Sequence, residues 1–157
     1  TVCLAVPLYE QLELLKKNKV AVVCGILSGT LASLTGIFVL CMLFGFNHKQ
    51  YVTMLPKSIT TAIGIGISEE LGGIVTITVA VIIITGILGN VIADTVFHIF
   101  KIKNPLAKGL ALGTASHAIG TARAIEMGPV EGAMSSLAVA VAGLLTVVFV
   151  SGFAQLI

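Results

Sequence analysis

A chain of 157 residues that is 57% hydrophobic and only 10% charged, with a mean hydropathy of +1.10, falls far below soluble-domain charge content, which is about 25%. Its net charge of +2 is dispersed over short connectors, and its three cysteines show neither CxxC spacing nor histidine neighbours. These features exclude a basic nucleic-acid surface, a cysteine–histidine metal site and a soluble globular fold, and leave an integral membrane protein.

The opening segment "TVCLAVPLYE" starts inside an apolar element, with no initiator Met and no signal-peptide pattern. It reads as part of a chain whose earlier spans are missing. "LLKKNK" (14–19) then precedes an uncharged run, Val20 to Phe46. Two more uncharged runs follow, Leu71 to Ala93 and Gly132 to Ile157. Each exceeds the roughly 20 residues that a helix needs to cross the hydrocarbon. None alternates with period two, so the spans are helices and not strands of a barrel. Cys3, Cys24 and Cys41 lie in these apolar surroundings and are expected to be buried, unpaired thiols.

Between the runs lie two shorter stretches, "PKSITTAIGIGIS" and "LALGTASHAIGTA". In residues 107–122, eleven of sixteen are Gly, Ala, Ser or Thr, which suits close helix packing and a broken backbone better than a lipid-facing span. Pro129 and Glu131 suit the first turn of the last helix. "SEELGG" (68–73) precedes the second uncharged run, and Ser68, Glu69 and Glu70 resemble a helix start.

An internal repeat joins the two short stretches. "TTAIGIGISEELGGI" (60–74) and "SHAIGTARAIEMGPV" (116–130) share A-I-G, five residues, Glu, Leu or Met, and Gly. A fainter third copy runs from Ala5-Val6-Pro7 to Glu13-Leu14, and "CGILSGTLA" (24–32) echoes "TGILGNVIA" (85–93) at another offset. Paired Gly-interrupted segments in corresponding repeats point to a transporter's midplane site. Lysine counts depend on the path of residues 57–70. A re-entrant path puts six lysines on one face against two, whereas a crossing puts five against three.

The polar side chains inside this apolar chain are the candidate site. Ser116 and His117 are adjacent, which does not build a hydrolase, since no G-x-S-x-G elbow and no fitting acid accompany them. His117 is either a cavity donor or a structural donor to a carbonyl. Arg123 is the only arginine. Its planar fork can grip a carboxylate in two places, or pair with Glu126 three residues on. Glu70 and Glu126 hold equivalent repeat positions and either cap helices or titrate. Ser58, Thr60, Thr61 and Ser68 surround Gly64 and Gly66. Their hydroxyls either bond back to helix carbonyls or solvate a small polar substrate. Asp94 and His98, one turn apart, read either as a surface or interfacial pair or as a proton relay.

The stretches "LPKSITTAIGIGISEELGG" and "LALGTASHAIGTARAIEMGPVEGAMSSLAVAVAGLLTVV" resemble the LrgB/CidB family, and the likeness covers residues 1–157 as one transmembrane domain. Thr1 to Tyr9 resemble the second part of a family segment, with Cys3 where Ala is common. The resemblance implies a multi-pass membrane protein with no enzyme activity. The absence of any transit segment favours a bacterial plasma membrane, and no cofactor or metal is expected. Bacterial members are antiholin-like modulators of murein hydrolase activity and autolysis, and plastid members carry glycolate and glycerate. It also implies a holin-like membrane partner of the LrgA/CidA type. The expected fold is an all-α polytopic transmembrane helix bundle with Gly-interrupted, re-entrant or broken helices in internal repeats, open to homo-oligomers. The expected substrate is a small monocarboxylate: glycolate, glycerate or a pyruvate-like acid. Arg123 would take the carboxylate and Ser116 and His117 the remaining oxygen, with a proton coupled through Glu126 or His117. The other reading is a non-transporting regulator that binds the holin-like partner.

Overall fold

The computed structural model describes Tyr9 and residues 11–157. Cys3 and the Ala5-Val6-Pro7 start of the faint third copy lie outside the described residues. Among those residues the chain forms seven helices and no strand. They are α1 (Leu12–Lys17), α2 (Lys19–Leu43), α3 (His48–Met54), α4 (Thr61–Glu70), α5 (Val75–Ile99), α6 (Pro105–Met127) and α7 (Pro129–Ala154). Three of them, α2, α5 and α7, are long and apolar enough to cross a membrane. At 1.5 Å per residue, 25 residues cover roughly 37 Å. Large apolar side chains such as Ile84, Leu88 and Val91 on α5 and Leu144 and Val148 on α7 point outward, as lipid-facing surfaces require.

Helix α6 is broken at its centre. At His117 the backbone takes φ 43°, ψ −139°, and the chain folds back on itself. A Cβ placed on Gly120 would stand 2.8 Å from the Leu112 carbonyl oxygen and 2.6 Å from Ser116 Cβ. Those atoms could not meet in a straight helix, where eight residues span about 12 Å. Residues 105–116 and 118–127 are therefore two arms of a hairpin, both packed on α7. Gly109 and Gly113 of the first arm touch the backbone of Glu131 and Ser135, so closely that any Cβ would fall 2.4 and 2.5 Å from those carbonyl oxygens. Close packing of this kind is what holds helices together where lipid is as apolar as the core.

Residues 48–70 form the matching hairpin. Asn47 and Gln50 make a capping box that starts α3, and Pro56 bars its continuation. The chain then turns through residues 55–60 into α4. Thr78, fully buried in the first turn of α5, ties the base of this hairpin. Its hydroxyl lies 2.9 Å from the Thr53 carbonyl and 2.8 Å from Ser68 Oγ. Ser68, Glu69 and Glu70 thus end a helix rather than start one. Gly72 takes φ 72°, and its N–H and that of Gly73 return to the carbonyls of Glu69 and Ser68. This glycine closure stops α4 and delays the second span to Val75.

The two hairpin-plus-span units run in opposite senses. Gly25 and Gly29 of α2 meet Leu110 and Thr114 of α6 in parallel register, so Lys19 and Lys101 share a face, here the lysine face. The first hairpin starts near the C-terminal end of α7, where Tyr51 Oη donates to the Phe153 carbonyl. Its span α5 ends at the lysine face. The second hairpin enters from the lysine face, and α7 leaves it. The register that aligns Gly64 with Gly120 also aligns Pro56 with Leu112, the first-arm residue that each glycine faces. The symmetry extends between units. Ile63 packs on Gly143 of the other unit's span, and Ile119 packs on Gly86. The sequence repeat is an inverted structural repeat with two re-entrant hairpins. Cys41 is buried as expected, but Cys24 is exposed, because it lies on the outward face of α2.

Candidate functional site

Ser58 of the first hairpin tip and Thr114, three residues before the second tip, line one small void near the middle of the bundle. Ser33 sits 14 residues after Lys19 and 10 before Leu43, close to the midpoint of α2. Its hydroxyl donates to Ser58 Oγ in the first tip at 2.9 Å. A water-sized void of about 10 Å³ lies beside this contact, lined by Thr30, Ser33, Ser58, Thr114 and Thr146 among others. Thr30, Thr114 and Thr146 donate back to carbonyls of their own helices, at 2.9, 2.8 and 2.7 Å. Their hydroxyl oxygens still line a polar layer across α2, α6 and α7. Both second arms start at this depth, so the positive ends of two helix dipoles point toward the midplane. The α4 N-terminus at Thr60 has no side-chain cap.

Lys57 is the charge at this depth. Its Nζ donates to Ser58 Oγ at 2.9 Å, and among the described residues it joins no salt bridge. A lysine at the centre of a spanning helix costs about 2.5–3.5 kcal/mol to insert, so it persists where water or a ligand reaches it. A groove of about 770 Å³ supplies that access. It runs between α2 and α6 from Asn18 and Asn104 near the lysine face, past Gly25, Gly29 and Ala111, to Lys57 and Ser58.

The expected site residues fall in separate places. Ser116 and His117 are together at the second tip, both buried. His117 Nε2 lies 2.9 Å from the Ile82 carbonyl. Since a carbonyl only accepts, Nε2–H donates, which is the structural role among the two foreseen. Thr121, one turn on, donates to the His117 carbonyl and shares a 2.8 Å hydrogen bond with Ser135. Thr60 and Thr61 open α4 and are half-buried. Ser68 is fully buried at the far end of α4, bonded to Thr78.

Arg123 lies six residues beyond the tip, about 9 Å along the second arm. One guanidinium nitrogen donates to Glu126 Oε2 at 2.7 Å and another pairs with Asp94. The i,i+3 pair with Glu126 is present, but Asp94 pairs with Arg123 and not with His98, because the hairpin lays its second arm along α5. Arg123 and Glu126 are not brought to His117. Lys57, Ser33, Thr114 and Thr146 were not among the expected site residues. The one signal for them was a lysine inside the apolar, hydroxyl-rich "LPKSITT". Among the described residues no three His, Cys, Asp or Glu side chains gather as a metal ion would need.

Comparison with known proteins decides the family. Residues 1–156 match the LrgB-like family. The chain belongs to the LrgB-like family. It is 40% identical over 157 residues to the antiholin-like protein LrgB of Bacillus subtilis (strain 168), covering 100% of this chain and 68% of that protein. It is 41% identical over 153 residues to proteins of the same name from Bacillus cereus (strain B4264) and Bacillus anthracis (strain CDC 684 / NRRL 3495), covering 98% of this chain and 66% of each. The chain thus spans about two thirds of the length of these LrgB relatives. No solved structure matches it. With three spans among its described residues, this member of the family is a multi-pass membrane protein.

Proposed function

We propose that this LrgB-like protein is a membrane carrier for a small monocarboxylate such as glycolate, glycerate or a pyruvate-like acid. The observation that carries the reading is the inverted pair of re-entrant hairpins, both of which border a polar midplane layer. In carriers of this architecture, substrate binds between the broken elements, and one repeat rocks against the other around that site. Ser116, at the second tip, and Thr60 and Thr61, at the start of α4, belong to the elements that would move. The test is uptake of labelled glycolate into vesicles holding the full-length protein alone. Saturable, pH-dependent uptake supports the carrier, and none above empty vesicles sinks it.

The relatives are named antiholin-like, which favours a second reading: control of murein hydrolase activity through a holin-like membrane partner. The outward apolar faces of α5 and α7 are surfaces on which such a partner or a second copy would pack. Dye leakage from vesicles only when the partner is co-reconstituted, without uptake by this protein alone, supports that reading.

A further inference from the structure

We propose that Lys57 and Ser58, at the tip of the first hairpin, form the anion-binding site of this protein, reached from the lysine face along the groove between α2 and α6. As a substrate site, the assignment rests on the carrier reading; as an anion site, it stands apart from transport. Three observations converge on it. Lys57 is set at the level of mid-α2 by the Ser33–Ser58 hydrogen bond, and among the described residues no acid neutralises it. Ser58 Oγ accepts from both Ser33 and Lys57, which leaves its own proton and two ammonium protons for a further acceptor. The groove ends at these two residues.

The charge count sets the ligand class. One unpaired ammonium balances one carboxylate, so a bound monoanion leaves the midplane neutral, whereas a dianion leaves a net charge in a layer of low dielectric. Arg123 cannot serve in the same way in this conformation, because Asp94 and Glu126 already engage its guanidinium.

The experiment measures equilibrium binding of labelled glycolate to the purified full-length protein, alongside uptake in vesicles. K57Q is expected to weaken binding at least tenfold and S58A several-fold, while K103Q, on the lysine face, binds as the parent does. Unlabelled glycolate should compete, and glycolamide and malonate should compete at least tenfold less well. Thermal melting of each variant in detergent identifies misfolding, and K57R, which keeps the charge, should retain more affinity than K57Q. Folded K57Q and S58A that bind like the parent overturn the assignment, as does a parent that binds no glycolate. Binding that is lost in K57Q but never accompanied by uptake supports the anion site and overturns the carrier.

Discussion

The Nε2 of His117 sits 2.9 Å from the carbonyl oxygen of Ile82, and this contact fastens the tip of the second hairpin to α5. His117 holds this position in a positive-φ conformation, φ 43°, that favours glycine. Two opposed effects therefore meet in one residue. The hydrogen bond contributes about 1 kcal/mol, and the backbone conformation costs about 1–3 kcal/mol. His117→Ala should lose the bond and keep the strain, whereas His117→Gly loses the bond and relieves the strain. Thermal unfolding of the full-length protein in detergent should rank His117→Gly above His117→Ala. The reverse order would show that the turn is not strained in the folded protein.

Glycines divide by what a methyl group would meet. At Gly113 an added Cβ would fall 2.5 Å from the Ser135 carbonyl oxygen and 2.6 Å from Ala138 Cβ. Neither atom can swing aside, so Gly113→Ala must push the hairpin off α7. Overpacking of this kind costs about 1–3 kcal/mol. Gly36, on the outward face of α2, has nothing within 4 Å, and Gly36→Ala should be neutral or stabilise by up to about 1 kcal/mol through helix propensity. Equal melting temperatures for the two variants would contradict the hairpin packing.

Gly89 offers a test by second-site rescue. Its Cβ would overlap Ser116 Oγ and stand 2.7 Å from Ser116 Cβ. Gly89→Ala should therefore loosen the second tip from α5. Pairing it with Ser116→Gly removes both clashing atoms, and the double variant should melt above Gly89→Ala alone. A purely additive loss would mean that the two residues are not in contact.

Much of this architecture was readable from the sequence, and the exceptions have physical causes. The spans were legible because a bilayer tolerates few charges over about 20 residues. The uncharged run starts before α5 does, because Gly72 and Gly73 extend that run while closing α4. The repeat was legible because Gly64 and Gly120 both face the opposite arm of a hairpin and so recur in register. The turn at His117 was not, since no composition marks a histidine at positive φ. In the sequence Lys57 counts only as a topological charge, because depth in the bilayer depends on where the chain turns back. In the sequence Arg123 reads as free to take a carboxylate, because its second acid partner, Asp94, is 29 residues away.

The re-entrant path of residues 48–70 also settles how the lysines divide. Lys16, Lys17, Lys19, Lys101, Lys103 and Lys108 share one face, Lys49 lies on the other, and Lys57 lies between them at the hairpin tip. By the excess of lysine in cytoplasmic loops, the lysine face is expected to be cytoplasmic. Full-length protein with its native cysteines replaced, carrying either Lys103→Cys or Gln50→Cys, would be treated in intact cells with a membrane-impermeant thiol reagent. Gln50→Cys should react from outside, and Lys103→Cys only after the cells are permeabilised. External labelling at position 103 would invert the orientation. It would also reverse the side from which the groove leading to Lys57 opens, so that substrate would enter from outside the cell in this conformation.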